Sequence, residues 1–184
     1  MNSKTLSKEK IIKAAIELIN SQENLNFTKL SRKLGTRPQA LYNYFPDVTA
    51  VKIDVAISFY QDLATRLTVD LLGLTGKQAI VTFCNVGVEY ALSKYRITQQ
   101  VISLPAGQLD NQELEQSALE IQMIVLNLIK TIEVNPKRQL VLARMLVNLI
   151  IGEIVHVGNR RFNNKLISPR DSFELMLKLI LEGY

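Results

Sequence analysis

The residues best equipped for specific binding lie close together between positions 36 and 44. Arg37, Gln39 and Asn43 carry planar groups with several hydrogen-bond donors or acceptors. Arginine can bind guanine through two hydrogen bonds, and glutamine or asparagine can bind adenine in the same way. If this segment is a short helix, the three side chains share an outward face. The chemistry that they predict is recognition of base edges in the major groove of DNA.

Catalysis and metal binding have little support in the sequence. The chain has one cysteine, Cys84, and one histidine, His156, which excludes an internal disulfide and a cysteine/histidine zinc cage. It has no Walker loop, no dinucleotide-binding glycine pattern and no HExxH sequence. We therefore predict no catalytic residue, no metal site, no cofactor and no enzymatic activity.

The positive charge is concentrated near the N-terminus. The formal net charge is +5, and residues 1–50 hold 8 Lys or Arg against 4 Asp or Glu. Residues 51–184 hold 14 against 13. This basic N-terminal region suggests a polyanionic partner, because lysines and arginines that neutralise phosphates release the counterions bound to them, which favours binding. Charge alone would equally fit a solubilising surface.

We expect a cytoplasmic protein without a membrane segment. A membrane span needs about 20 predominantly apolar residues, and the most apolar part of this chain, residues 140–157, contains Arg144 and Glu153. The N-terminus has lysines but no apolar core or small-residue cleavage site of a signal peptide.

Three short helices are predicted to position the residues between 36 and 44. Ser7 and Asn26 are favourable N-terminal caps for the first two, and Gly35 suits the left-handed end of the second. Thr36 is expected to cap the third, with Pro38 in its first turn. A tight turn between the second and third helices is typical of a helix-turn-helix. The predicted ranges are Ser7 to about Asn20, Asn26 to Leu34, and Pro38 to Phe45.

Helical periodicity continues through the rest of the chain, without an alternating strand pattern or an internal repeat. The predicted fold is all-α, with about nine helices in total. We predict a helix-turn-helix domain over 1–47 and a larger helical domain over 48–184. The further helices are expected at about 47–72, 77–94, 96–103, 111–134, 137–161 and 169–183.

The N-terminal quarter resembles the DNA-binding domain of TetR-family transcriptional regulators. The resemblance covers about residues 7–55, and the rest matches that family in helix number and length, with His156 and Gly158 similar to a His-x-Gly motif of some members. Its most specific part is the Leu-Tyr-x-Tyr-Phe string of the third helix. The matching runs are Ile11-Ile12-Lys13-Ala14-Ala15-Ile16-Glu17-Leu18-Ile19, Phe27-Thr28-Lys29-Leu30-Ser31-Arg32-Lys33-Leu34-Gly35 and Ala40-Leu41-Tyr42-Asn43-Tyr44-Phe45.

This resemblance implies roles for individual residues. Leu41 and Phe45 are interpreted as core residues instead of DNA contacts. Two positions depart from the family pattern, since Val48 replaces a phosphate-binding lysine and Ala40 replaces a threonine. The lost phosphate contact is expected to be replaced by Lys52, or by an N-terminal arm with Lys4 and Lys8. The predicted DNA-binding residues are Asn26 and Thr28 at phosphates, Thr36, Arg37, Gln39 and Ala40 at the groove, Asn43 on the outward face, and Tyr42 and Tyr44 against backbone or bases.

The larger domain is predicted to form a homodimer. The helix at 137–161 is apolar around most of its circumference, and the helix at 169–183 is similarly rich in apolar residues. Such helices must be covered on several sides, and a two-fold four-helix bundle would cover both. The predicted interface residues are Leu146, Ile150, Ile154, Phe173, Met176, Leu177 and Ile180.

The same domain is predicted to bind a small-molecule effector. Ligand pockets combine apolar walls with a few polar groups. Polar groups occur inside otherwise apolar helices of this domain at Asn148, Glu153, His156, Cys84, Asn85, Glu89, Gln99, Gln100 and Asn127. His156 is interpreted as a structural or interface residue. The predicted pocket residues are Phe59, Phe83, Tyr90, Met123, Asn127, Met145 and Asn148.

The sequence therefore predicts a ligand-responsive transcriptional repressor that binds a palindromic operator in double-stranded DNA as a homodimer. Two alternatives remain open from the residues alone. One is a helical protein-interaction module, and the other is a regulator that responds to no ligand.

Overall fold

The computed structural model describes residues 6–105 and 109–184, and these residues form helices and connecting turns without a strand. The predicted all-α fold is confirmed. Lys4, part of the predicted basic arm, lies outside the described residues. The helices are α1 (Lys8–Asn20), α2 (Phe27–Leu34), α3 (Pro38–Leu41), α4 (Val48–Asp70), α5 (Gly76–Ser93), α6 (Tyr95–Ser103), α7 (Gln112–Ile129), α8 (Pro136–Gly158) and α9 (Pro169–Glu182).

Three helices, α3, α7 and α8, end three or more residues earlier than predicted. Helix α3 stops at Leu41, whose carbonyl accepts hydrogen bonds from the amides of both Tyr44 (2.9 Å) and Phe45 (3.0 Å). Helix α7 stops in the same way, because the amides of Ile132 and Glu133 both donate to the Ile129 carbonyl at 3.0 Å. When two amides donate to one carbonyl, the helix closes in a tight turn. The spacing of apolar residues does not indicate where such a turn occurs.

The capping residue of α3 also differs from the prediction. Arg37 precedes the helix in extended geometry (φ −100°, ψ 149°), and Thr36 belongs to the preceding turn. The predicted cap at Thr36 is therefore wrong by one residue.

The chain forms two compact units whose limits differ from the predicted division at residue 47. The first contains the residues up to Tyr60 together with Arg96–Gln116, and the second contains Gln61–Tyr95 together with Ser117–Tyr184. Helix α4 continues without a break from the first unit into the second. The predicted boundary followed the end of the third helix, and no local signal showed that α6 returns to the first unit.

Helices α1, α2 and α3 pack around a small core in the first unit. Leu30 and Leu41 have no exposed surface, and Phe45 is 2% exposed. Leu41 and Phe45 are thus core residues, as interpreted from the sequence. Further buried residues of this core are Ile11, Ala15, Leu18, Phe27 and Val51.

In the second unit α8 packs between α5 and α9. Helix α8 is long and apolar enough for a membrane span by length and composition alone. However, it contains Arg144 and the buried Glu153, and one of its faces is covered by protein. Cys84 is also buried here, and burial raises the pKa of its thiol to about 12, so that the thiol stays protonated at neutral pH.

Candidate nucleic-acid interface

The turn between α2 and α3 is held by a Schellman motif. Gly35 adopts the left-handed conformation (φ 65°), and its amide donates to the Arg32 carbonyl at 3.2 Å. The amide of Thr36 donates to the Ser31 carbonyl at 2.9 Å. These two bonds satisfy the last carbonyls of α2 and set the direction in which α3 begins.

The start of α2 is capped by Asn26. Its side-chain Oδ1 accepts a hydrogen bond from the Lys29 amide at 2.9 Å, so this oxygen is already engaged. Thr28 is exposed in the first turn, where free amides and the helix dipole favour a phosphate. The two predicted phosphate-contacting residues therefore lie together at one helix end.

The segment from Arg37 to Asn43 presents an exposed polar surface. Arg37, Gln39, Tyr42 and Asn43 are all exposed, whereas Thr36 and Ala40 are half-buried. The Tyr42 side chain is 61% exposed, and its ring meets the ring of Phe27 edge to face at 4.8 Å between centroids. The packing therefore orients Tyr42 while it leaves much of the side chain open to a partner.

Tyr44 is held differently from its exposed neighbours. Its hydroxyl donates a hydrogen bond to the Leu6 carbonyl at 2.7 Å, and the residue is half-buried. Lys8 in turn lies over the Phe45 ring, with its Nζ 5.4 Å from the centroid. Tyr44 thus connects the segment before α1 to the turn that follows α3, and its hydroxyl already donates a hydrogen bond within the protein.

The cations of this unit differ in how they are paired. Lys29 binds Glu23 at 3.0 Å, and Lys33 binds Glu17 at 2.8 Å. The hydrogen bond from Lys33 lowers the pKa of Glu17. Arg37 is exposed, and within the residues that the structure describes it forms no ion pair. Its guanidinium is therefore available to a base or a phosphate.

Val48, one of the two departures from the family pattern, lies at the start of α4, and Lys52 lies one turn further along. Val48 is the first residue of the helix and is half-buried, while the Asp47 carboxylate caps the helix by accepting from the Ala50 amide at 2.8 Å. Lys52 lines a groove of about 430 Å³ together with Glu23 and Arg96. A lysine is thus present one turn after Val48, on a polar groove of the first unit.

The predicted effector-pocket residues do not share one environment. Phe59, Phe83 and Tyr90 are buried; Phe59 belongs to the first unit and the other two to the second. The Tyr90 hydroxyl accepts from Lys94 Nζ at 2.9 Å, and burial raises the pKa of this tyrosine. The remaining four, on α7 and α8, are exposed in the single chain: Met123, Asn127, Met145 and Asn148.

The predicted dimer residues lie mostly on the inner face of α8 and α9. Four of them are buried within the chain: Leu146, Ile154, Phe173 and Leu177. The other three are half-buried: Ile150, Met176 and Ile180. The exposed apolar surface of the two helices is a different set, which the sequence analysis did not assign to the interface. Three pairs of its members are spaced four residues apart, and this spacing was visible in the sequence. We call the set the α8–α9 face, and it comprises Leu140, Val141, Met145, Val147, Ile151, Leu175 and Leu179.

Known structures share this arrangement over nearly the whole chain. The TetR regulator SCO7222 of Streptomyces coelicolor is 16% identical, with a TM-score of 0.74 over 97% of each chain. BioQ of Mycobacterium smegmatis is 20% identical, with a TM-score of 0.71 over 97% of each chain. FadR of Bacillus subtilis, solved in complex with stearoyl-CoA, is 16% identical, with a TM-score of 0.70 over 97% of this chain and 100% of that one.

No protein-family model matches the chain, and the comparison with curated proteins finds no significant match. At the identities above, the likeness of the solved structures concerns the fold. The chain has the fold of TetR-family transcriptional regulators.

Proposed function

We propose that this protein is a cytoplasmic transcriptional regulator without enzymatic activity, which binds a palindromic operator as a homodimer and represses until a small molecule binds. The observation that carries the proposal is the exposed set Arg37, Gln39, Tyr42 and Asn43 on a helix-turn-helix. These side chains supply donors, acceptors and a ring to the major groove. The fold likeness to transcriptional regulators supports the same conclusion.

Within this proposal Arg37, Gln39 and Asn43 read bases, and Asn26 and Thr28 hold phosphates at the start of α2. Tyr42 packs against the DNA from its exposed position. Tyr44 orients the segment before α1 through its bond to Leu6, and any contact that it makes with DNA uses its ring. Thr36 and Ala40 lie at the edge of the groove, where their small size lets the backbone approach.

The homodimer is proposed on the α8–α9 face. All seven side chains are large, apolar and exposed in the single chain, and an apolar surface of this kind on a protein usually marks an interface. A second copy related by two-fold symmetry presents the same apolar face, so the two surfaces complement each other. The dimer also supplies two helix-turn-helix units, one for each half-site of a palindrome.

The decisive experiment is selection of bound duplexes from a randomised double-stranded library by the full chain. The expected result is enrichment of a palindrome whose half-sites lie about 10 base pairs apart, or a multiple of that distance. Enrichment of no sequence, or salt-dependent binding without sequence preference, would contradict the proposal. A protein-interaction module would give the first of these results.

Replacing Arg37 with alanine is expected to weaken binding to the selected duplex by about 1–3 kcal/mol, which is typical of one good base contact. Fluorescence anisotropy at fixed salt measures the loss. Arg161→Ala is the matched control, because it removes the same charge from an exposed site in the second unit. Equal effects of the two changes would show that Arg37 contributes charge alone.

The ligand response is proposed to act through α4, which runs from the first unit into the second. A ligand that binds the non-DNA state 100 times more tightly supplies about 2.7 kcal/mol of coupling. Linkage requires that operator DNA weaken ligand binding by the same factor. Titration of an effector with and without operator measures this factor. If the effector bound equally tightly in both titrations, the alternative of a regulator that responds to no ligand would be favoured.

A further inference from the structure

A cleft of about 290 Å³ lies within the second unit, between α5, α8 and the start of α9. Its walls are largely apolar and include Val88, Leu92, Val157 and Phe173. Asn85 and Ser168 add polar groups at its border. Apolar walls with a few polar groups are the usual composition of a small-molecule site, and this volume is near the lower end of the range of about 300–1,000 Å³.

One buried carboxyl oxygen of the cleft has no hydrogen-bond partner among the described residues. Glu153 lines the cleft from α8 and is only 4% exposed, and its Oε2 has no hydrogen-bond partner in the described structure. Burial raises the pKa of this carboxyl group. A buried carboxylate without a partner costs free energy, because it has lost its hydration without gaining a hydrogen bond or a counter-charge.

The other charged residues of the cleft are engaged elsewhere. Glu89 on α5 lies 3.8 Å from Arg66, and Arg170 on α9 binds Glu174 at 3.2 Å. Both are exposed at the rim, whereas Glu153 lies inside. Among the described residues, therefore, none supplies Glu153 with a counter-charge.

We propose that this cleft binds a small organic cation, an amine with an apolar body, whose ammonium group pairs with the Glu153 carboxylate. The apolar body contacts Val88, Leu92 and Phe173. The ammonium group donates hydrogen bonds to Glu153, and such charge-assisted bonds are stronger than neutral ones. Binding requires only the second unit and stands apart from the proposed DNA recognition.

Other ligand classes fit the cleft less well. An anion would meet both Glu153 and Glu89, while Arg170 at the rim is already paired with Glu174. A neutral ligand would leave the buried carboxylate without a counter-charge. A metal ion lacks ligands, because no group of three or more His, Cys, Asp or Glu suited to a metal occurs in the described residues. The unpaired carboxylate therefore selects a cation that brings its own hydrogen-bond donors.

Three compounds of nearly equal shape test the charge requirement: benzylamine, benzyl alcohol and benzoate. Isothermal titration of the full chain without DNA, at pH 7, measures their affinities. Benzylamine is expected to bind at least about 10-fold more tightly than benzyl alcohol, because its ammonium group donates charge-assisted hydrogen bonds to the Glu153 carboxylate. Benzoate is expected to bind least. Equal affinities for all three, or no binding of benzylamine at millimolar concentration, would overturn the proposal.

Variants locate the effect at Glu153. Glu153→Gln keeps the shape of the side chain and is expected to abolish the preference for benzylamine over benzyl alcohol. Glu153→Asp keeps the charge and should retain a preference. Glu120→Gln removes an exposed carboxylate of the same unit that does not line the cleft, and it should leave the preference unchanged. A preference that survives Glu153→Gln, or that disappears in Glu120→Gln, would refute the assignment. Circular dichroism of each variant verifies its fold. If a variant does not fold, the relative affinities of the three compounds for the unmodified protein still test the charge requirement.

Discussion

Replacing both Leu175 and Leu179 with aspartate is expected to convert the protein into a monomer and to weaken binding to a palindromic duplex at least about 100-fold, or 2.7 kcal/mol. The two leucines are 49% and 60% exposed and lie four residues apart on α9, so that they share one face. A proposed two-fold interface would bring four aspartates together in an apolar contact. Burying them unpaired is costly, and their like charges repel.

Sedimentation velocity at micromolar concentration and fluorescence anisotropy measure the two effects. Lys165→Asp is the matched control, because it changes the net charge by the same two units at an exposed loop position of the second unit, outside α8 and α9. The control is expected to remain dimeric. A double variant that sediments as the wild type does, or a wild type that is itself monomeric, would place the interface elsewhere or remove it.

The Leu41→Ala variant is expected to destabilise the first unit by about 2–5 kcal/mol, the usual cost of removing a fully buried leucine side chain. Leu41 has no exposed surface and is the last residue of α3, where its carbonyl also closes the helix. Loss of this side chain removes the support of the segment that carries Arg37, Gln39 and Asn43. Binding to the selected duplex should therefore fall together with stability.

Hydrogen exchange of the α2 amides measures this local stability, and anisotropy measures DNA binding. Tyr42→Ala provides the comparison, because Tyr42 is the next residue and is mostly exposed. It should lower DNA affinity with a much smaller loss of amide protection. If Leu41→Ala left the exchange rates of α2 unchanged, the structural role assigned to Leu41 would be wrong.

The helix-turn-helix was largely predictable because its signals are local. Asn26 and Gly35 act through hydrogen bonds that span five residues or fewer, so their effects follow from neighbouring residues alone. The end of α3 was not predictable in this way. Its closing bonds depend on where Leu41 is held, and that position is set by packing against the rest of the first unit.

The candidate sites of the second unit, in contrast, could not be located from local sequence signals. Helix α8 is apolar on nearly all sides, so periodicity could not indicate which side faces inward. The structure buries Leu146 and Ile154 and exposes Val141 and Ile151, which moves the proposed dimer surface to another face of the same helix. The assignment of α6 to the first unit likewise came from contacts distant in sequence.

By itself, the sequence determined the all-α class, most helix ends and the polar residues of the helix-turn-helix, because caps, glycine turns and helical spacing act over one or two turns of chain. Only the tertiary structure decided which apolar faces remain exposed and which polar groups lack partners. Glu153 was recognisable in the sequence as a polar residue in an apolar helix. Its isolation became visible only once α5 and α9 were seen to surround it without supplying a counter-charge.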